Sequence, residues 1–137
     1  MSSFKIFDIA GSGMNAQNLR MNVVASNLAN VDAVSSSVDQ TYRARQPVFK
    51  AVMDEFNARN PAVGVQMAGV VESKAPLVRE YAPHHEMADE EGYIYRPNVN
   101  VVEEMANMIS ASRAYQNNVE VVNATRQMLS ATINLGR

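Results

Sequence analysis

The amino-acid sequence predicts a mainly α-helical fold with a small β insertion. Two long segments with helical apolar periodicity lie at the two ends of the 137-residue chain. The stretch between them alternates short apolar runs with Asp, Pro and Gly. We expect the two terminal helices to pair as an antiparallel coiled coil, with the short β-rich segment between them in the chain and at one end of the pair. The expected divisions are an N-terminal helix at 1–31, a β-rich, loop-containing insertion at 32–97 and a C-terminal helix at 98–137.

The N-terminal segment carries an apolar stripe with alternating spacings of three and four residues. The stripe consists of Phe7, Ala10, Met14, Gln17, Met21, Val24, Leu28 and Val31, of which only Gln17 is polar. Apolar residues at this spacing over three to four heptads are typical of a helix that packs lengthwise against another helix.

The insertion contains four short segments of β-strand composition. They are TYRARQPVFK at 41–50, VGVQMAGVVES at 63–73, PLVREYAP at 76–83 and GYIYRP at 92–97. Pro47 indicates an edge strand, because proline cannot donate a ladder hydrogen bond. The polar segments VSSSVDQ and PHHEMADEEG are expected to be loops.

The C-terminal segment repeats the heptad stripe over a longer distance. It runs through Val101, Met105, Met108, Ser112, Tyr115, Val119, Val122, Arg126, Leu129 and Ile133. Asn98 or Asn100 can cap its N-terminus, Glu103 and Glu104 suit the helix dipole, and Gly136 marks its end. A rise of about 1.5 Å per residue makes this helix roughly 50 Å long, which a small globule cannot cover.

The two stripes together define the expected seam between the helices. Its members are Phe7, Met14, Met21, Val24, Leu28, Val101, Met105, Met108, Tyr115, Val119, Val122 and Leu129.

The polar faces of both helices are rich in amides and poor in charges. From Ile9 to Val31 the only charged residue is Arg20. Amides and hydroxyls cost less to desolvate than charges, so these faces fit burial against other chains. The expected intersubunit contacts are Asn22, Ser26, Asn27, Asn30, Asn107, Arg113, Asn117 and Asn123. A low-charge helical hairpin that happens to be rich in Asn explains the composition equally well. Asn30 is also a candidate for a left-handed helix cap.

Composition excludes several function classes. The net charge of −2 gives no basic field for nucleic acid or for a membrane surface. The chain has no Cys, which excludes disulfides, Cys-ligated zinc and thiol catalysis. Asp8 interrupts the apolar residues at the N-terminus, so we expect no cleaved signal peptide. We also expect no cofactor and no small-molecule substrate.

Two short motifs are weak signals for a metal site and for a phosphate-binding loop. His84 and His85 precede an acidic run and could belong to a small metal-binding protein, but no third fixed ligand is evident. The GSG run at 11–13 does not follow a predicted strand and lacks the Lys of a phosphate-binding loop. We therefore expect neither a metal site nor an enzyme active site.

The signature stretches resemble those of a known family. MNVVASNLANVDA at 21–33, followed by YRARQPVF at 42–49, is similar to the N-terminal signature of flagellar basal-body rod proteins. PNVNVVEEMANMISASRAYQNNVEVVNATRQML at 97–129 resembles the C-terminal helix that the axial proteins of rod and hook share. The segment YAPHHEMADEEGYIYRPNVNVVEEM at 81–105 is similar to that of the proximal-rod members. The Thr-Pro-Gly-Tyr turn that follows the Asn-rich motif in many relatives is missing here.

The resemblance implies a non-enzymatic, structural function. It implies export through the flagellar type III apparatus without a cleaved signal peptide, and helical assembly into the rod that crosses the periplasm and carries motor torque. The implied partners are copies of the chain, the rod proteins FlgB, FlgF and FlgG, and the rod-base protein FliE. The resemblance also implies that the helices form the inner wall and that the insertion faces outward. Another rod subunit of the FlgB type is the alternative within the family.

Overall fold

The computed structural model describes residues 2–52 and 63–136 and contains two long terminal helices with short strands between them. In chain order the elements are α1 (Ser2–Ala29), β1 (Arg45–Val52), β2 (Gly64–Glu72), β3 (Val78–Tyr81), β4 (Tyr93–Arg96) and α2 (Val101–Leu135). Each of the four segments of β-strand composition coincides with one strand, although β1 continues two residues beyond the first segment. The predicted combination of two terminal helices and a small β region is confirmed.

Helix α2 begins at the second of the two candidate caps. The Asn100 side chain accepts hydrogen bonds from the N–H groups of Val102, at 3.1 Å, and Glu103, at 3.4 Å. The Asn98 side chain instead accepts from the N–H of Ala44 at 2.8 Å. Asn98 therefore ties the entrance of α2 to the chain just before β1, while Asn100 satisfies the free donors of the first helical turn.

The two helices run antiparallel. Arg20 on α1 donates to the Asn107 side chain on α2 at 3.1 Å. A Cβ atom added to Gly13 would lie 2.9 Å from Nδ2 of Asn118. Residue numbers thus rise along α2 as they fall along α1, and the absence of a side chain at Gly13 leaves room for the Asn118 amide.

The β1–β2 hairpin lies along α1. Its antiparallel register pairs Arg45 with Glu72 and Val52 with Gly64. At one end Asn27 binds the backbone of Arg45, and at the other the N–H of Val65 donates to Ser12 at 3.1 Å. A strand advances about 3.3 Å per residue and a helix about 1.5 Å, so eight strand residues match this stretch of helix.

The β3–β4 hairpin forms a separate two-stranded sheet that precedes α2 in the chain. Its Ile94 is 2% exposed, and Tyr95 forms a β-bridge with Ser35 in the loop after α1. The Arg79 guanidinium lies 3.6 Å from the Tyr93 ring centroid and 2.8 Å from the Glu91 carboxylate. The bridge to Ser35 ties this hairpin to the loop that follows α1, and the Arg79 contacts hold β3 to β4 and to the loop between them.

Helix α1 does not end in a left-handed cap. No residue other than glycine has a positive φ within residues 2–52 and 63–136, so the interpretation of Asn30 as such a cap was wrong. The Asn30 amide donates to the Ser26 carbonyl at 2.8 Å instead. A side-chain hydrogen bond thus binds a carbonyl at the helix end, and the helix ends without a residue in the left-handed conformation.

The buried core is small among the residues that the structure describes. Its apolar members are Ala10, Ala16, Val24, Ala44, Ile94 and Ala111. Four of these six are alanines, so the helices and hairpins bury little apolar surface against one another. Over the described ranges, no helix combines the length and the apolar character that a membrane crossing requires.

Candidate assembly interface

Helix α1 has two sides that contact the rest of the chain. Leu19, Val23 and Ser26 line a depression together with residues of β2. Arg20 and Val24 point toward α2 and line a second cavity. Because successive residues are separated by about 100° on a helix, these two sides are adjacent, and Phe7, Met14 and Met21 lie on the remaining third of the surface.

Helix α2 faces α1 with small and polar side chains. Its buried residues are Glu104, Ala111 and Thr125. Asn107 and Asn118 lie on the same side and reach Arg20 and Gly13 of α1. Glu104 and Ala111 are seven residues apart, as in a heptad repeat, but neither has a large apolar side chain.

The predicted seam residues have unequal positions in the single chain. Val24 is buried, and Phe7, Met14, Met21, Leu28, Met108, Val119, Val122 and Leu129 are half-buried. Val101, Met105 and Tyr115 are exposed. In half of each stripe, the residue that contacts the other helix is the one that precedes the predicted seam residue in the sequence. Gly13 and Arg20 take the contact positions beside Met14 and Met21, while Glu104 and Ala111 do so beside Met105 and Ser112. The small Gly13 and Ala111 allow closer approach than methionine does.

As a result, one side of the helix pair carries apolar residues that are half-buried on α1 and exposed at Val101 and Met105 on α2. We call it the open face and define it by Phe7, Met14, Met21 and Leu28 of α1 and Val101, Met105 and Val119 of α2. On each helix, the open-face residues lie about 100° around the helix axis from the residues that contact the other helix. The rotation is in the direction of rising residue number. For two antiparallel right-handed helices, such rotations bring both sets to the same side of the pair. The hairpin covers the opposite side of α1.

The open face exposes large apolar side chains on α2. Val101 is 41% exposed and Met105 is 54% exposed, while the members on α1 are half-buried. Single exposed apolar residues are ordinary, but a contiguous stripe on two adjacent helices is typical of a surface that another protein covers. Ala25 and Ala29 on α1 are exposed beside it and leave room for close approach.

The expected polar contact residues divide into two groups. Asn22, Arg113, Asn117 and Asn123 are exposed. The others are half-buried or buried and bind within the chain. Asn107 accepts from Arg20, Ser26 lies 3.2 Å from the Tyr42 hydroxyl, and Asn30 donates to the Ser26 carbonyl.

Asn27 is enclosed by its own chain. Its side chain is 0% exposed, and it binds both backbone groups of Arg45 as well as the Tyr42 hydroxyl. We expected this amide to lie nearer a subunit contact. The structure uses it to fasten β1 to α1, and neither Tyr42 nor Arg45 was singled out from the sequence. The partner atoms on Arg45 are backbone atoms, so side-chain composition carries no signal for this contact.

The histidine loop contains little that would hold a metal. His84 and His85 are exposed, and Nδ1 of His85 accepts the N–H of Met87 at 3.1 Å. In the two described ranges no group of three His, Cys, Asp or Glu side chains is placed to hold an ion. Asp89 accepts the N–H groups of Tyr93 and Glu91. Chiefly through the bond from Tyr93, the pKa of Asp89 is lowered from its ordinary value.

Comparison with known proteins identifies similar chains. Residues 7–35 match the family described as "Flagella basal body rod protein", and residues 90–135 match "Flagellar basal body rod FlgEFG protein C-terminal". Over the full length of both chains, the sequence is 49% identical to the flagellar basal-body rod protein FlgC of Escherichia coli O157:H7. It is 47% identical to that of Salmonella typhimurium, again over both full lengths. The FlgC of Borreliella burgdorferi is 33% identical over 97% of each chain.

Proposed function

The chain belongs to the FlgC family of flagellar basal-body rod proteins, and we propose that it polymerises through its two terminal helices into the proximal rod. As a family member it is a structural component of the bacterial flagellar basal body, in a family not known to be enzymatic. The proposed rod crosses the periplasm as a drive shaft and transmits motor torque.

The open face is the observation that supports this proposal best. Covering it with a neighbouring subunit removes apolar side chains such as Val101 and Met105 from water. Full burial of such a side chain contributes about 1.5–3 kcal/mol. Since the chain's own core consists largely of alanines, assembly supplies apolar burial that the single chain does not have.

We place the coiled-coil contacts between subunits as well as within them. Half of the heptad stripe packs inside the chain, through residues such as Val24. The other half, including Met14 and Leu28, lies toward the open face. In the proposed rod, this second half meets helices of neighbouring subunits.

We also propose a set of polar contacts between subunits. They are Asn22, Ser26, Asn30, Asn107, Arg113, Asn117 and Asn123. We leave Asn27 out of this set because its own chain encloses it. The helices at 1–31 and 98–137 would form the wall of the rod. The insertion at 32–97 would face outward, which fits the position of the β1–β2 hairpin on the side of α1 away from the open face.

The partners follow from membership in the rod family. The chain interacts with other flagellar basal-body proteins. More specifically, we propose contacts with copies of itself, with FlgB, FlgF and FlgG, and with FliE at the rod base. We also propose export through the flagellar type III apparatus without a cleaved signal peptide. The proposed function requires no cofactor, nucleic acid or small-molecule substrate.

The deciding experiment is imaging of isolated basal bodies at side-chain resolution from cells in which this chain replaces the resident gene product. We expect its density in the proximal rod, with α1 and α2 in the wall and residues 45–52 outside. Basal bodies that contain a rod but lack this chain would refute the proposed function.

A further inference from the structure

A cavity of about 370 Å³ lies where α1, α2 and β1 meet. Its lining includes Arg20, Phe49, Glu103, Glu104 and Asn107. It combines an apolar wall with carboxylates from the first turn of α2, and it is separate from the open face.

Glu104 is buried without a partner in this cavity. The residue is 8% exposed, and its Oε2 atom accepts no hydrogen bond from any described residue. The nearby Arg20 guanidinium donates to Asn107 and makes no ion pair within the described ranges. The start of α2 favours a negative charge at Glu104 through the helix dipole, but it does not replace the missing donor.

The charge balance of the cavity favours a cation. Glu104 is the buried carboxylate of the cavity, since Glu103 on the same turn is exposed to solvent. Arg20 donates to Asn107, and the Arg45 guanidinium lies 3.5 Å from the Glu72 carboxylate and 5.2 Å from the Tyr42 ring centroid. Neither guanidinium forms an ion pair with Glu104 among the described residues. A buried carboxylate without a partner is costly, and an added hydrogen-bonding cation offsets that cost.

We propose that this cavity receives an arginine side chain from a neighbouring rod subunit, with Glu104 as its anchor. A guanidinium is more weakly hydrated than an ammonium, can bind a carboxylate through two donors and stacks on flat apolar groups such as the Phe49 ring. The inference rests on the proposed rod assembly and adds a specific polar contact to it.

The first test uses Glu104→Gln and, as a matched control, Glu103→Gln, whose side chain is exposed on the same turn. Removing an unpaired buried charge should leave the purified monomer as stable as before, or more so. Incorporation into basal bodies should fall at least about tenfold for Glu104→Gln, and little for Glu103→Gln. Normal incorporation of Glu104→Gln, beside normal incorporation of the unmodified chain, would overturn the cavity contact and leave the rod function intact. Failure of the unmodified chain to incorporate would refute the rod function instead.

The second test identifies the occupant. A photo-crosslinking residue replaces Gln46, which lines the cavity, and crosslinked peptides from assembled basal bodies are sequenced. We expect an arginine-containing peptide of another subunit, and its yield should drop when Glu104→Gln is added. A lysine at the crosslinked position, or a yield that Glu104→Gln does not alter, would contradict the proposal.

Discussion

The Asn27 side chain binds Arg45 as a neighbouring strand would. Its Oδ1 accepts the Arg45 N–H at 2.9 Å, and its Nδ2 donates to the Arg45 carbonyl at 2.8 Å. The Tyr42 hydroxyl donates to the same Oδ1 at 2.9 Å. One buried amide therefore fixes where the first strand starts on the first helix.

Asn27→Ala should detach the start of β1 from α1. The change leaves the Arg45 N–H and carbonyl without these partners, at a cost of about 1–3 kcal/mol. Urea unfolding of the purified chain measures the loss. Asn22→Ala, on an exposed site of the same helix, is the control and should stay within about 0.5 kcal/mol of the unmodified protein. Equal effects of the two variants would contradict the role assigned to Asn27.

Leu28→Asp should block rod assembly. Leu28 is half-buried on the open face, and its replacement places a carboxylate without a partner inside the proposed wall. Swimming assays and basal-body yields from complemented cells check this expectation. Gln66→Asp is the control, because Gln66 is exposed on β2 opposite Lys50. Normal rods with Leu28→Asp would refute the placement of Leu28.

Alanine at the two glycines of α1 should have different effects. A Cβ at Gly11 meets no atom within 4 Å, so Gly11→Ala should stabilise the protein by about 0.5–1 kcal/mol through helix propensity. At Gly13 the new Cβ would lie 2.9 Å from the Asn118 amide. That side chain must move, so Gly13→Ala should stabilise less. Urea unfolding of both variants compares them, and a larger gain at Gly13 would argue against the close approach to α2.

The loop before β4 should loosen in acid. Hydrogen bonds from Tyr93 and Glu91 lower the pKa of Asp89 in the folded chain. The stabilisation is therefore present above the ordinary pKa of about 4 and is lost as the pH falls through the lowered value. Amide NMR shifts of Glu91 and Tyr93, followed from neutral pH to about pH 2, measure this change. Asp89→Asn should remove most of the pH response, whereas Asp39→Asn, in an exposed loop, should keep it.

Sequence periodicity was sufficient to predict both helices, the four strand segments and the end of α2 at Gly136. It did not predict which part of each stripe packs inside the chain. Each apolar stripe is broad enough to pack against two different helices. Which part of it packs inside the chain depends on the close contact that the small residues Gly13 and Ala111 permit. The buried carboxylate of Glu104 was also missed, since a Glu in the first turn of a helix has an adequate local explanation in the helix dipole.

The antiparallel helix pair also determines when the chain can fold. Arg20 and its partner Asn107 are separated by 87 positions in the sequence. A chain that leaves a ribosome or an export channel with its N-terminus first cannot close this pair until most of its length has emerged. Contacts of such long range make folding slow. Helix α1 thus stays without its main partner while the chain emerges, and the pair closes only after the part of α2 around Asn107 is outside.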